Sequence, residues 1–434
     1  MLKCNSSIVF SVLVKISGHK MKHSLLFMLA TMGMVACVPG DDAAPVEANL
    51  RTLQQHELQT VDASTAFAMD LYQQLRKAES PNRFFSPYSI HVALSMAMAG
   101  NEGEALEEFL DVLRFDNQTV EEANRGAKEL TEFLLQVDPK VKTHIANSMW
   151  YRQDYQVKAA FRQVLEDYYK AEVAGIDMFD PKSVDIINGW IERNTEGLIK
   201  DMLDRIPPDA VMYLVNAIYY KADWKYRFDA GETKKELFYI APDKKVEVDM
   251  MSLGKGAEMK FYAGDTYNYL EIPYSTGQYS MGVVLPNGHN MEEIEGEVTL
   301  ENLNLWRDQA QETNLLLKMP KFKLREKQEN MAEDLMDMGL RIPFGFDDRN
   351  FTLLFDNPTN PLKVSRIIHD AVIEVDERGS EAAAATVVEI VELSSAGPST
   401  PKVFALDRPF IFFIQEKHSG AVLFMGKLGD PSVL

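Results

Sequence analysis

The chain has 434 residues, of which 46% are hydrophobic, so it holds enough apolar material for a sizeable packed core. Its formal net charge of -20 repels phosphate backbones and anionic headgroups, which argues against nucleic acid or a membrane surface as partner. The two cysteines, Cys4 and Cys37, precede the globular part, so the folded domain has no internal disulfide and no thiolate metal site.

The N-terminus has the pattern of an export signal. A basic stretch around Met21 precedes an apolar run that ends at Ala36 and is too short to span a bilayer as a mature helix. We therefore predict a signal peptide over residues 1–37, with Met21 as an alternative start. The four residues ending at Cys37 resemble a bacterial lipobox, which predicts lipidation of Cys37. Plain secretion with cleavage near Ala36 is the alternative.

Both alternatives export the protein, so we expect it outside the cell or held at the outer membrane or cell surface by its lipid. The lipid would be its only membrane contact. Residues 38–61 are polar, with small residues and prolines, which is typical of a flexible tether.

The remaining chain changes character along its length. Apolar residues at three-to-four spacing predict helices over 63–77, 89–98, 104–113, 121–135, 159–169, 184–194, 291–294 and 330–338. Runs rich in β-branched and aromatic residues predict strands over 211–220, 267–273, 279–285, 315–319, 371–375, 410–415 and 422–427. Helices first and strands later favour an α+β domain with large mixed or antiparallel sheets.

The segment 381–401 interrupts this pattern, because few of its side chains could anchor a core. A loop of this length in a compact domain is often functional. In an extended strand, alternate side chains point to opposite faces. One face from Ser380 to Ile390 is then small or apolar throughout, whereas the other holds Glu381 and Glu389. The loop can therefore become a strand buried on one side; an inert surface loop is the alternative.

Motifs for catalysis are missing from the sequence. It contains no Gly-x-Ser-x-Gly, no Walker loop and no Gly-x-Gly-x-x-Gly, and its eight histidines show no His-Glu-x-x-His spacing. We therefore predict no catalytic residue, no cofactor and no metal site.

Four long stretches, in order, resemble signatures of the serpin family. They begin with Asn-Arg-Phe-Phe-Ser-Pro-Tyr-Ser-Ile at Asn82, Val-Asn-Ala-Ile-Tyr-Tyr-Lys-Ala-Asp-Trp at Val215, His-Asp-Ala-Val-Ile-Glu-Val-Asp-Glu-Arg-Gly-Ser at His369 and Asp-Arg-Pro-Phe at Asp407. The resemblance implies a serpin fold: a single domain over 62–434 with three β-sheets, surrounding helices and an exposed reactive loop at about 377–403.

The resemblance also implies roles for particular residues. A cluster under the central sheet, which must open for the loop, would consist of Ser86, Ser89, Asn216 and His369, with Trp224 where insertion begins. The hinge of the loop would comprise Glu377, Gly379, Ser380, Ala382, Ala383, Ala384, Ala385 and Thr386. Counting from Glu377 places the bond to be cleaved between Leu393 and Ser394.

The resemblance implies an inhibitor of serine proteases rather than an enzyme. Its target would cleave the loop, the loop would insert into the central sheet, and the protease would stay covalently trapped. The small hinge residues favour inhibition; a non-inhibitory binding protein with the serpin fold is the alternative. No Lys or Arg lies between Gly379 and Pro401, so chymotrypsin-, subtilisin- or elastase-like proteases are the expected partners of a monomeric chain.

Overall fold

A computed structural model describes residues 46–328, 330–345, 348–356, 361–364, 367–380 and 401–433. The α-helices in these residues are α1 Gln55–Leu75, α2 Pro87–Met98, α3 Gly103–Val112, α4 Val120–Gln136, α5 Ala159–Tyr169, α6 Lys182–Asn194, α7 Met291–Gly296, α8 Leu300–Gln309 and α9 Ala332–Met338. The strands are β1 Arg83–Phe85, β2 Lys142–Arg152, β3 Glu172–Ile176, β4 Met212–Asp223, β5 Lys234–Ala241, β6 Lys244–Ser252, β7 Ala257–Ala263, β8 Tyr267–Pro273, β9 Tyr279–Pro286, β10 Gln311–Pro320, β11 Phe322–Gln328, β12 His369–Val375, β13 Gly379–Ser380, β14 Lys402–Ala405, β15 Phe410–Glu416 and β16 Val422–Leu428.

Local sequence explains where two of these helices begin. Ser86 precedes α2, and its side chain accepts a hydrogen bond from the Ser89 N–H, while Pro87 occupies the first helical position, where no N–H is needed. Thr119 and Glu122 form a reciprocal capping box at the start of α4. These side chains satisfy N–H groups that a helix start leaves without partners.

The smaller sheet has six strands in the order β11-β12-β13-β4-β2-β3. Strand β13 is antiparallel to both of its neighbours. Over the described residues, β4 and β12 share no hydrogen-bond register with each other; each pairs with β13 instead. We call the space between β4 and β12 the slot.

The larger sheet has ten strands, in the order β1-β16-β15-β9-β8-β7-β10-β6-β5, with β14 also paired to β10. Gln311–Leu315 of β10 pair with β7, and Lys318–Pro320 pair with β6. Strand β10 thereby joins two groups of strands into one sheet. The described strands form two hydrogen-bonded sheets instead of the three expected, because β10 belongs to both groups.

Two apolar cores fill the domain. The larger one is formed by residues of both sheets and of every described α-helix except α6. Phe84 stacks there on both Phe412 and Phe424, and Val283 of β9 is fully buried in the same core. The smaller core lies between α6 and the outer face of β2, β3 and β4. The six-stranded sheet is therefore covered on both faces.

The folded domain begins earlier than the sequence indicates. Helix α1 starts at Gln55, and Leu53 before it is buried in the larger core. Asn49 also donates its backbone N–H to the Val137 carbonyl at the end of α4, over 2.7 Å. The prediction of a flexible tether over 38–61 is thus wrong for its C-terminal part, because apolar side chains of this segment pack on the domain. Among the described helices, none is both long and apolar enough to cross a membrane.

Candidate functional site

A tight turn connects β12 to β13 and forms the described part of the predicted hinge. The Asp376 carboxylate accepts hydrogen bonds from the N–H groups of Arg378 (2.8 Å) and Gly379 (3.2 Å). The Asp376 N–H donates to the Gly379 carbonyl over 3.0 Å. The chain therefore reverses within three residues, and Gly379 and Ser380 enter the sheet beside β4, opposite Asp223 and Ala222.

The close approach of two backbones explains the glycine at position 379. A Cβ atom there would clash with the carbonyl oxygen of Ala222 and would lie 2.7 Å from the Cα atom of Asp223. Both obstacles are backbone atoms, which cannot rotate away. Any larger residue at this position would push the hinge away from β4.

Ser380 is held by a pair of stacked aromatic rings. Its buried hydroxyl lies 2.7 Å from the Tyr274 hydroxyl, and the Tyr274 ring stacks on Trp224 with centroids 4.3 Å apart. The Trp224 ring N–H donates to the Asp376 carbonyl over 2.9 Å, and its backbone N–H donates to the Arg378 carbonyl over 2.7 Å. Trp224 thus lies directly against the hinge turn.

Glu377 fixes the outer side of the same turn. Its carboxylate accepts hydrogen bonds from the Lys321 ammonium and the Thr233 hydroxyl, both over 2.8 Å. Burial raises the pKa of Glu377, but its hydrogen bonds and the charge of Lys321 together outweigh burial, so the pKa lies below its ordinary value. The carboxylate is therefore charged at neutral pH and ties the hinge to the residues that directly precede β11 and β5.

The second group of predicted residues lies further along the slot. The Ser86 N–H donates to Nε2 of His369 over 3.0 Å, and the Ser86 hydroxyl donates to the Leu423 carbonyl over 2.7 Å. Burial lowers the pKa of His369 to about 4, so the ring is neutral and can accept this bond. Ser89, His369 and Asn216 line one cavity of about 520 Å³.

Asn216 is the incompletely bonded member of this group. Its Nδ2 donates to Oδ1 of Asn147 on β2 over 2.6 Å, and Asn147 in turn donates to the Tyr169 carbonyl over 2.7 Å. The Oδ1 atom of Asn216 is buried and has no hydrogen-bond partner among the described residues. An unpaired buried acceptor of this kind costs free energy and marks a place where a donor would bind.

The structure therefore brings Ser86, Ser89, Asn216 and His369 together and places Trp224 apart from them, against the hinge. The other predicted site residues, Ala382, Ala383, Ala384, Ala385, Thr386, Leu393, Ser394 and Cys37, lie outside the described residues. Where the structure is described, no group of His, Cys, Asp or Glu is arranged to hold a metal ion.

Sequence reasoning did not identify Tyr274, Lys321 or Asn147 as parts of the site. The sequence does not single out these residues, since all three lie far from the hinge along the chain.

In the described residues, the ten-stranded sheet is continuous, whereas the six-stranded sheet has a slot that the hinge enters. The family model for serpins (serine protease inhibitors) matches residues 62–431. An uncharacterized serpin-like protein of Methanosarcina acetivorans is 32% identical, over 95% of this chain and 99% of the relative. Human serpin B4 is 32% identical, over 85% of this chain and 99% of its own length. The crystal structure of human thyroxine-binding globulin has a TM-score of 0.78 at 26% identity, covering 87% of this chain and 99% of that one.

The chain belongs to the serpin family, and the α+β serpin fold expected from its sequence is confirmed. Members of the family are in general protease inhibitors rather than catalysts. Thyroxine-binding globulin, which was solved in complex with thyroxine, shows that the same fold also serves ligand binding.

Proposed function

We propose that this serpin inhibits serine proteases by cleavage of its loop, insertion of the loop between β4 and β12, and covalent trapping of the protease. The observation that carries the proposal is the entry of Gly379 and Ser380 into the slot, in register with β4. The slot lies between strands that do not pair with each other in the described residues. An inserted strand would pair with both.

The register at Ser380 predicts where each following residue would lie after insertion. Ser380 is opposite Ala222 on β4 and Val375 on β12, and both pairings are antiparallel. Each step of two residues along the loop moves the opposite position back by two on both strands.

This register places the alanines beside large or closely packed side chains. Ala382 would lie opposite the buried Tyr220, and Ala384 would lie opposite Ile218 and Ala371. All three of these side chains belong to the larger core or pack against it. Small side chains suit this narrow face, and their burial would contribute about 25 cal/mol per Å² of apolar area.

The same register places Thr386 opposite both Asn216 and His369, six residues from the pairs at Ser380. A threonine hydroxyl there could donate to the unpartnered Oδ1 of Asn216. Insertion as far as Thr386 would thus complete the polar group beneath the sheet. The unpartnered oxygen of Asn216 supports the proposal because the inserted loop would supply its hydrogen-bond donor.

The chemistry assigned to the loop is that of an ordinary protease substrate. The protease serine oxygen would attack the carbonyl carbon of Leu393, and the bond to the Ser394 nitrogen would break, with the amine leaving as it takes up a proton. The acyl-enzyme ester on Leu393 would then be carried along by insertion. Trapping requires insertion to be faster than hydrolysis of this ester.

Incubation with chymotrypsin, followed by a denaturing gel, tests this function. We expect a complex that survives denaturation. We also expect a released C-terminal fragment whose mass shows that its first residue is Ser394. Cleavage without a complex would contradict trapping. In that case the non-inhibitory alternative, a binding protein like thyroxine-binding globulin, would explain the fold better, and a ligand screen against the uncleaved chain would follow.

The targets that fit the loop are proteases with apolar specificity pockets. The loop offers Leu393 at the proposed bond, or Val391 for an elastase-like enzyme, and it has no cation between Gly379 and Pro401. A trypsin-like pocket would leave its buried carboxylate unpaired over Leu393, which is costly. Glu392 makes a glutamate-selective protease a weaker candidate.

We further propose that the protein is exported and anchored by a lipid on Cys37. The support is the sequence alone: an apolar run followed by Met-Val-Ala-Cys at residues 34–37. The family match begins at residue 62 and does not include this segment. In a bacterial host, Cys37→Ser should move the protein from the membrane fraction to the soluble fraction, and unchanged partitioning would contradict the anchor.

A further inference from the structure

Helix α6 and the segment 195–211 that follows it cover the outer face of the six-stranded sheet. We call these residues the α6 layer. On one side of the slot the layer is fixed by apolar packing, in which Trp190 meets the edge of Trp150 with ring centroids 6.4 Å apart. Ile191 and Leu203 are buried in the same core, against Val215 of β4. The layer is therefore packed firmly against the half of the sheet that contains β2, β3 and β4.

The segment after α6 is also tied to the helix itself. Asn188 Nδ2 donates to the Leu203 carbonyl over 2.8 Å, and the Leu203 N–H donates back to Asn188 Oδ1 over 2.9 Å. This pair of hydrogen bonds fixes the backbone at Leu203. The backbone of the next residue, Asp204, is consequently held in a defined position on the layer.

On the other side of the slot, the layer reaches β11 through charges. The Asp204 carboxylate lies 3.3 Å from the Lys327 ammonium, and their side chains are 68% and 21% exposed. The hydrogen bond from Arg325 to Asp370 is the main cause of the raised pKa of Arg325, and the nearby charge of Asp201 adds to it. One carboxylate of the layer thus contacts a cation of β11, and a second, Asp201, carries a charge close enough to act on Arg325, which itself pairs with Asp370 of β12.

Apolar contact on this second side is slight. Ile368 and Val372 are only partly buried against the smaller core. Leu198 of the layer and Val372 line a common small cavity near Ser380. The attachment of the layer to β11 and β12 therefore depends more on charge than its attachment to β4 does.

We infer that Asp204 and Lys327 are positioning residues that hold the slot at the width of one inserted strand. The inference rests on the proposed insertion mechanism and adds a determinant of its rate. The ion pair is formed while β13 separates β4 from β12. Direct pairing of β4 with β12 would move β11 toward β4 by about 4.8 Å, one strand spacing. The ion pair forms at the wider slot and would be disturbed at the narrower one. It therefore shifts the equilibrium between the two slot widths toward the wider one.

Three variants test this assignment. Asp204→Asn removes the ion pair without changing the shape of the side chain, and Asp204→Glu keeps the charge and should behave like the parent. Glu192→Gln is the matched control, because Glu192 pairs with Lys200 at 3.3 Å inside the α6 layer and spans no slot. An exposed ion pair contributes little free energy, so we expect Asp204→Asn to slow insertion only about two- to fivefold.

Insertion is measured in two ways. The first is the rate of covalent complex formation with chymotrypsin, together with the number of inhibitor molecules consumed per trapped protease. The second uses a synthetic peptide with the sequence of residues 380–393, whose uptake by the uncleaved protein is followed by the rise in Tm and involves no protease. Asp204→Asn should slow both processes, while Asp204→Glu and Glu192→Gln should slow neither.

The two measurements separate this inference from the proposed function. If the parent protein traps no protease but Asp204→Asn slows peptide uptake, inhibition is contradicted and the role of the ion pair stands. If the parent traps protease and Asp204→Asn matches it in both measurements, the role of the ion pair is contradicted. Faster insertion by Asp204→Asn would also overturn the inference, because the pair would then hold the slot closed. A parent protein that neither traps protease nor takes up peptide would overturn both.

Discussion

The two sheets of this protein differ in how their central strands are paired. In the ten-stranded sheet, β15 pairs with β9 on one side and with β16 on the other over nearly its whole length. In the six-stranded sheet, β4 and β12 are bridged in the described residues by the two residues of β13. Buried side chains line the central strands of both sheets, so burial alone does not distinguish them.

The difference shows that pairing and packing are separate properties of a sheet. The central strands of the ten-stranded sheet have a partner on each side. The six-stranded sheet also has packed faces, but under the proposed function it would gain a strand, and with it the backbone hydrogen bonds of two new ladders. The predictions below alter either the strand that would be gained or the six-stranded sheet beside it, and leave the ten-stranded sheet unchanged.

The largest expected effect comes from changing which protease can release the new strand. Leu393→Arg presents a cation to the carboxylate in a trypsin-like pocket, so we expect the rate of complex formation with trypsin to rise at least about 100-fold. The rate with chymotrypsin should fall in parallel. Kinetic assays with both enzymes measure these rates, and fast complex formation between the parent protein and trypsin would contradict the assignment of Leu393.

A charge on the inner face of the new strand should have the next largest effect. Ala384→Glu would place a carboxylate opposite Ile218 and Ala371, which pack in the larger apolar core, and an unpaired buried charge costs several kcal/mol. We expect at least about ten times more protease to be released per cleavage event, as seen in the ratio of cleaved to complexed inhibitor on a gel.

Ala383→Glu is the matched control for this charge. The register places residue 383 on the opposite face, opposite Tyr219, whose ring also contacts Lys142. A carboxylate there would lie near the half-exposed Lys142 ammonium, so we expect a smaller loss of trapping than with Ala384→Glu. Equal impairment by both substitutions would show that the two faces of the loop are not distinguished by the sheet.

The buried ring of His369 makes the free energy of unfolding depend on pH, and this effect is smaller. Burial lowers its pKa from 6.5 to about 4, so the unfolded chain binds the proton first as the pH falls. The contribution of the neutral ring to the free energy of unfolding is full above pH 6.5 and is lost progressively as the pH falls toward 4. This loss amounts to about 2 kcal/mol between pH 7 and pH 5.

His369→Gln should remove that part of the pH dependence. A glutamine oxygen can still accept the Ser86 N–H, but it does not titrate in this range. Urea unfolding at pH 7 and pH 5 measures the difference for parent and variant. The fully buried His91, whose pKa burial also lowers to about 4, should keep its own share of the acid sensitivity in both proteins.

The sequence predicts the strands that alternate or form long apolar runs, such as β8, β9 and β12, but it does not predict β2. Strand β2 reads Lys-Thr-His-Ile-Ala-Asn-Ser-Met-Trp-Tyr-Arg, and its polar residues face partners that only the fold supplies. Asn147, for example, bonds to Asn216 and to the Tyr169 carbonyl. Local periodicity carries no information about such long-range polar pairs.

The residues of the candidate site, like the strands, could be predicted from the sequence only in part. The family resemblance names Ser86, His369 and Trp224, because each lies within a long sequence signature. It does not show that Tyr274 holds Ser380, since that contact joins residues 106 positions apart. The register between β13 and β4, from which the positions of Ala384 and Thr386 follow, likewise requires the three-dimensional structure.

The smallest predicted effect concerns one hydroxyl and separates the two states of the six-stranded sheet. Thr386→Val keeps the shape of the side chain but removes the donor that insertion would bring to Oδ1 of Asn216. If this bond forms only on insertion, the Tm of the uncleaved protein should stay the same. The cleaved, inserted protein should lose about 1 kcal/mol, the typical net value of one hydrogen bond. Guanidinium unfolding of both forms measures this loss. Thr400→Val, beyond the proposed bond, is the matched control and should change neither form. A loss that is equal in the cleaved and uncleaved forms would mean that Thr386 already has its partner before cleavage, and the register extended from Ser380 would then be wrong.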